Sequence, residues 1–145
     1  MINTYYLYIR IWPDKMVIRD VERHSEITQL ADSPFTTSRL LVGDMLPAAK
    51  TLKNGINKLL PPFSFYQRFF PPKYAVIMHP KAMTEGGLSS VEKNAFRDLA
   101  TFICTSKNNV SIYVCEHSED LTDTQILDVL TGGFKEIKPN QKIIQ

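Results

Sequence analysis

With 145 residues, 43% of them hydrophobic and 22% charged, the chain has the size and balance of one globular domain that can bury a real core. Seventeen Lys and Arg against fifteen Asp and Glu leave a net charge of +2, scattered along the sequence, so composition gives no electrostatic footprint for nucleic acid or an anionic membrane. Cys104 and Cys115 lie in apolar surroundings without the spacing of a secreted disulfide framework, and reduced core thiols are expected. MINTYYLYIRIWPD has neither a basic start nor a small-residue cleavage site, and no apolar run nears the ~20 residues of a spanning helix. The expected location is the cytoplasm.

Tyr5 to Ile11 (YYLYIRI) is rich in aromatic and branched side chains and predicts a strand. Trp12 to Lys15 supplies a turn, and Met16 to Asp20 (MVIRD) a second, paired strand. Glu22 to Ser25 reads as a turn into a third short strand holding Glu26 and Ile27, and Thr28 to Ser38 as loop. Met45, Leu46, Ala49, Leu52, Ile56, Leu59 and Leu60 then recur at three and four, the mark of a helix with one buried stripe. Asp44 is the expected N-cap, and Pro47 is tolerated in the first turn, where no amide partner is lost. The linker from Pro61 to Pro72 (PPFSFYQRFFPP) carries Phe63, Phe65, Tyr66, Phe69 and Phe70, and is either packed over the core or an adhesive surface.

Lys73 to Met78 (KYAVIM) is a short, nearly continuous apolar run, as in a strand buried on both faces. In TEGGLSSVEKNAFRD, Ser89 and Glu92 form a capping box, and Val91, Ala95, Phe96, Leu99, Ala100 and Ile103 make a helical stripe ending near Thr105. Val110 to Glu116 (VSIYVCE) predicts another strand. Thr122 with Gln125 caps a last helix carrying Ile126, Leu127, Val129 and Leu130, stopped at Gly132-Gly133. The expected fold is a single α/β domain over residues 1–133, a mixed five-stranded sheet of order β-β-β-α-β-α-β-α with helices on its faces, followed by a polar tail at 134–145.

That element order resembles the ribonuclease-H-like core of actin-like ATPases. Val91 to Ala100 (VEKNAFRDLA) is similar to a helix of the bacterial actin MreB, of the form V-E-basic-x-A-x-R-acidic-x-A, and Ala75 to Pro80 and Ile112 to Glu116 look like its flanking strands. The resemblance, to MreB subdomain IA, runs in order from about Thr4 to Gly133. In length the chain is closer to the small YjaA-type bacterial proteins, a group described as stress-induced. Tyr8-Ile9-Arg10, Arg39-Leu40-Leu41, Ala49-Lys50, Leu52, Glu85 to Ser89 and Val91-Glu92 carry that second resemblance, which implies no known activity.

Departures from the ATPase pattern set the functional expectation. The phosphate loop of that family, Asp-x-Gly-Thr, corresponds here to Ile11 to Lys15, which has no glycine, so phosphate has no backbone amides to approach in the family's way. The second phosphate loop and the adenosine-binding glycines are missing as well. Thr28 to Ser38 is too short for the small subdomain that MreB inserts there, and His117 stands where MreB has the acidic residue linked to hydrolysis. Ribonuclease-H-like nucleases need first-strand carboxylates for two metal ions, and Tyr5 to Ile11 has none.

Three local features are candidate sites. Gly86, Gly87 and Ser89 open a helix whose amides are suited to an anion, although Ser89 and Glu92 satisfy those amides and Glu85 and Glu92 repel phosphate. Cys115 and His117, near Glu119 and Asp120, have metal-ligand chemistry, but a structural zinc site needs two further placed ligands. His24 and His79 read as a turn residue and a strand-end residue. Tyr5, Tyr6, Tyr8 and Trp12, with Arg10, Lys15 and Arg19 as basic company, are read as core and one sheet face rather than a base-stacking platform. No cofactor, metal or tightly bound nucleotide is expected, and neither nucleic-acid binding nor membrane insertion.

The expectation is therefore a non-catalytic interaction or regulatory protein that associates with a protein partner or itself. Its candidate surfaces are the aromatic linker and the last helix at Leu127 and Leu130. The alternative is a nucleotide- or anion-binding enzyme or switch using the helix start at Gly86-Gly87.

Overall fold

Residues 4–61, 69–103 and 109–132 are described by a computed structural model, and they follow the expected element order. Strands β1 (Thr4–Trp12), β2 (Lys15–Asp20) and β3 (Ser25–Leu30) form an antiparallel meander. Helix α1 (Met45–Leu59) leads to strand β4 (Lys73–Pro80), helix α2 (Ser90–Ala100) with a 3-10 turn at Thr101–Ile103 leads to strand β5 (Val110–Val114), and helix α3 (Asp123–Thr131) follows. The mixed sheet has the order β3-β2-β1-β4-β5, with β4 parallel to β1 and β5 parallel to β4.

Because strand side chains alternate between faces, β1 feeds two cores. Leu7, Ile9 and Ile11 join Met16, Ile18, Val76 and Met78 beneath α1 and α2. Tyr8 points the other way, into a smaller cluster with Ala75, Ile77, Tyr113 and Cys115 that α3 covers with Ile126 and Leu130. Helices on both faces explain why β4 is buried from Tyr74 to Pro80 and reads as an unbroken apolar run.

Local chemistry accounts for the ends of the elements. Ser89 with Glu92, and Thr122 with Gln125, form complete capping boxes. Asp44 occupies the N-cap of α1 without a side-chain capping bond. Asp14, in the turn between β1 and β2, has a positive φ of 54°. Its carboxylate accepts from the Phe35 and Thr36 amides at 2.8 and 2.9 Å, stapling the segment after β3 to the first hairpin.

The structure corrects several expectations. β3 continues to Leu30 where a loop was expected from Thr28, because Thr28, Gln29 and Leu30 pair with Val17, Met16 and Lys15. Leu46 and Val91 belong to the expected stripes of α1 and α2 but are 75% and 73% exposed. In α1 the sheet-facing side is Ala48, Ala49, Thr51, Leu52, Gly55 and Ile56, which leaves Leu46 on the far side. The last helix is not an apolar surface: Leu130 is 6% exposed and Leu127 packs on the same cluster, because α3 lies across the second sheet face. Phe63, Phe65, Tyr66, Cys104 and the tail at 134–145 lie outside the described residues, whereas Phe69 and Phe70 are exposed.

Gly55 lies where α1 packs closely on the sheet. A Cβ there overlaps Ile18 Cδ1 and comes within 3.3 Å of Gln29 Cβ, and Ile18 is fully buried and has nowhere to retreat. Helix propensity alone would favour replacing this glycine with any residue but proline, yet overpacking outweighs it, and Gly55→Val is expected to destabilise the fold by about 2 to 3 kcal/mol in urea titrations.

Candidate functional site

β4 and β5 are parallel neighbours whose following helices pack on opposite faces, α2 with the larger cluster and α3 with the smaller. Such a switch in direction opens a crevice at the carboxyl ends of the strands, the place where open α/β sheets bind ligands. Here it holds an open cavity of about 410 Å³, lined by Lys81, Thr84, Gly86 and Gly87 on one side and by Glu116, His117 and Ser118 on the other. Gly86, Gly87 and His117 thus share one cavity, and Ser89 stands beside it as the N-cap of α2.

Gly86 and Gly87 have φ of 80° and 86°, a conformation that favours glycine. The turn they make is closed by the Gly87 amide donating to Thr84 O at 2.9 Å. The Leu88 amide donates to Glu116 Oε1 at 3.0 Å, while Glu116 Oε2 pairs with Lys93 Nζ at 3.0 Å. Lys81, with its side chain 10% exposed, gives Nζ to Asp120 at 2.8 Å and to Ser118 O at 3.1 Å. The anion-seeking amides and the cation of the crevice are therefore engaged with the protein's own carboxylates and carbonyls.

Behind the crevice runs a buried polar relay. The His117 carbonyl can only accept, so His79 Nε2 carries the proton it donates across 2.6 Å, and His79 Nδ1 accepts from the Tyr8 hydroxyl at 2.6 Å. The Leu121 amide in turn donates to the Tyr8 oxygen at 3.1 Å. His79 has no solvent exposure, and burial, together with the nearby charge of Lys81, lowers its pKa to about 4 despite the bond to His117 O. Burial likewise raises the Tyr8 hydroxyl well above its ordinary range. The relay ties β1, β4 and the β5–α3 connection together through neutral groups.

Around the relay, charges fasten the same connection to the sheet. Arg10 binds Asp120 and Glu26, each at 2.9 Å, and Arg19 grips Asp123 with two bonds of 2.8 Å. Asp120 is partly desolvated, which raises its carboxyl, but Lys81 and Arg10 outweigh this and hold it below the usual carboxylate range. The Arg19 bonds hold Asp123 low in the same sense. These pairs are part-exposed, so each is worth at most about 1 kcal/mol and they serve mainly to fix geometry.

The remaining candidates fall elsewhere. Cys115 is fully buried in the smaller cluster, and burial pushes its thiol up to about 11, an unreactive state. His117 lines the crevice, with Nδ1 accepting from the Glu119 amide at 3.2 Å, and only its backbone bonds to the Cys115 thiol. Among the described residues no group of three His, Cys, Asp or Glu has metal-binding geometry. Tyr5 stacks on Tyr74 with centroids 5.5 Å apart, Tyr8 is interior, and Lys15 lies over Trp12. No helix among the described residues is long and apolar enough to cross a membrane.

With this geometry in place, comparison with known proteins adds one relative. The chain is similar to Uncharacterized protein YjaA of Escherichia coli (strain K12). The two are 28% identical over 125 residues, covering 86% of this chain and 95% of the relative. No family model matches the chain, and no solved structure matches it.

The relay makes stability pH-dependent in a definite direction. His79 has a pKa of about 4 in the folded state and an ordinary value of 6.5, so the unfolded chain binds the proton more tightly. Its contribution is whole above 6.5, declines as pH falls from 6.5 towards 4, and amounts to about 3 kcal/mol over that window. Urea unfolding across this range measures the slope, and His79→Gln is expected to flatten it.

Proposed function

We propose that the chain is a non-catalytic, cytoplasmic interaction or regulatory domain built on an actin-like, ribonuclease-H-like subdomain. The observation that carries this reading is the self-satisfied crevice. Lys81 is taken by Asp120, Glu116 by Leu88 and Lys93, and the start of α2 by Ser89 and Glu92, so these charged groups and amides are engaged within the protein.

The fold half of the proposal is supported by the strand order β3-β2-β1-β4-β5 and by the position of VEKNAFRDLA, which makes up nearly all of α2 between β4 and β5. In actin-like ATPases the first hairpin turn holds phosphate. The turn here has Pro13, which lacks an amide proton, and Asp14, whose carboxylate is bonded to the Phe35 and Thr36 amides. The interaction half is supported by large apolar side chains at the surface. Leu40 and Val91 are 38% and 73% exposed on either side of a narrow groove lined also by Leu41, Val42 and Ala95, and Phe69 and Phe70 lie outside the core at the end of the linker. Apolar surface of this kind serves a protein partner or a second copy.

A second reading, a nucleotide- or anion-binding switch, is favoured by the position of the crevice at the carboxyl ends of β4 and β5 and by the Gly86-Gly87 turn. Thermal unfolding with and without excess magnesium ATP separates the two. A specific ligand at a hundredfold excess over its Kd adds about 2.7 kcal/mol, a rise of several degrees in Tm. The interaction domain is expected to show no rise. A rise abolished by Gly87→Val would establish the switch instead.

A further inference from the structure

We propose that the free edge of β3 pairs with the same edge of a second copy of this chain, joining two sheets in antiparallel register about Thr28. The proposal rests on the interaction reading above and names the partner and the surface.

Ladder parity shows what the edge presents. The Ala31 amide donates to Asp14 O at 3.0 Å, one step beyond the Lys15–Leu30 pair of the β2–β3 register. Hydrogen-bonded pairs alternate in an antiparallel ladder, so Gln29, Ile27 and Ser25 bond inward to Met16, Ile18 and Asp20. Glu26, Thr28 and Leu30 consequently turn their amides and carbonyls outward. The same three residues are the exposed ones, Leu30 to 63%. Among the described residues this outward row of backbone groups receives a bond from within β3, from Gln29 Nε2 to Leu30 O at 3.1 Å, and a carbonyl retains a second lone pair.

Sheets that must stay apart blunt such edges with lysine, proline, bulges or short length. β3 has no lysine and no proline, and its register with β2 is unbroken from Ser25 to Leu30. The edge is also self-complementary. A two-fold axis normal to the sheet keeps like faces together, so residues paired across it must have the same parity. Centring on Thr28 pairs Thr28 with Thr28 and Glu26 with Leu30, which uses every outward residue of both copies and sets no like charges opposite one another. Centring on Ile27 would carry Leu30 past the partner strand to the turn at His24. In the Thr28 register that turn, which carries Arg23, runs instead towards Asp32 of the other copy, a complementary pairing of charge.

Sedimentation equilibrium on the full chain tests the proposal with Thr28→Lys, Thr28→Glu and their equimolar mixture. Expected are a reversible dimer for the native chain, monomers for each variant alone with unchanged circular dichroism, and recovery of twice the chain mass in the mixture, where opposite charges face each other. Should a charged variant lose its fold, Thr28→Pro replaces it, since it removes only an outward amide, and it is expected to be monomeric. A native dimer that persists in these variants overturns the β3 edge as the interface. A native chain that stays monomeric at every concentration overturns self-pairing. In neither case does the interaction reading fall, because its own test is the response to magnesium ATP.

Discussion

The structure depends on β1 being bonded along both edges. Antiparallel pairing to β2 and parallel pairing to β4 put this strand at the centre of the sheet, and its alternating side chains divide the interior into two cores of unequal size. Leu7, Ile9 and Ile11 hold α1 and α2 against one face. On the other face Tyr8 does more than pack, because its hydroxyl reaches the β5–α3 connection and His79 at once. A strand that is rich in aromatic residues and carries a single charge, Arg10, serves both sides with its polar groups tied to other elements: the Tyr8 hydroxyl in the relay, and the two terminal nitrogens of Arg10 on Glu26 and Asp120, although Arg10 Nε is buried without a partner among the described residues.

The same internal satisfaction marks the crevice between β4 and β5. The position is the one where α/β sheets place their ligands, and the residue types are suitable: lysine, histidine, hydroxyls and a glycine turn. Catalytic and phosphate-binding groups act by being held ready with capacity to spare. Here Lys81 and Glu116 fix the two connections to one another and to α2.

Much of this was legible in the amino-acid sequence where the determinants are local. The two capping boxes span four residues each, and the β-β-β-α-β-α-β-α order follows from periodicity and turn residues. Features that depend on pairing between distant segments were not legible. Thr28 to Leu30 reads as loop until β2 is available to pair with it. His79 reads as a strand end because its partners lie 71 and 38 residues away, and only the β1–β4 register brings the Tyr8 hydroxyl within reach. Leu46 and Val91 match a buried period yet face solvent, since a repeat of three and four marks a helical face without saying how wide the covered part will be.

The placement of β4 has a consequence for how the chain folds. The meander from Thr4 to Leu30 consists of contacts close in sequence and can form as a unit, but the strand completing its central member comes after the whole of α1 and the linker. Until β4 docks, β1 presents an open, strongly apolar edge, and during synthesis that interval lasts while about forty further residues are made at roughly 5–20 residues per second. Long-range parallel pairing is slow relative to hairpin formation. The moment of greatest exposure to misassembly for this protein therefore precedes the closing of its sheet and belongs to the nascent chain.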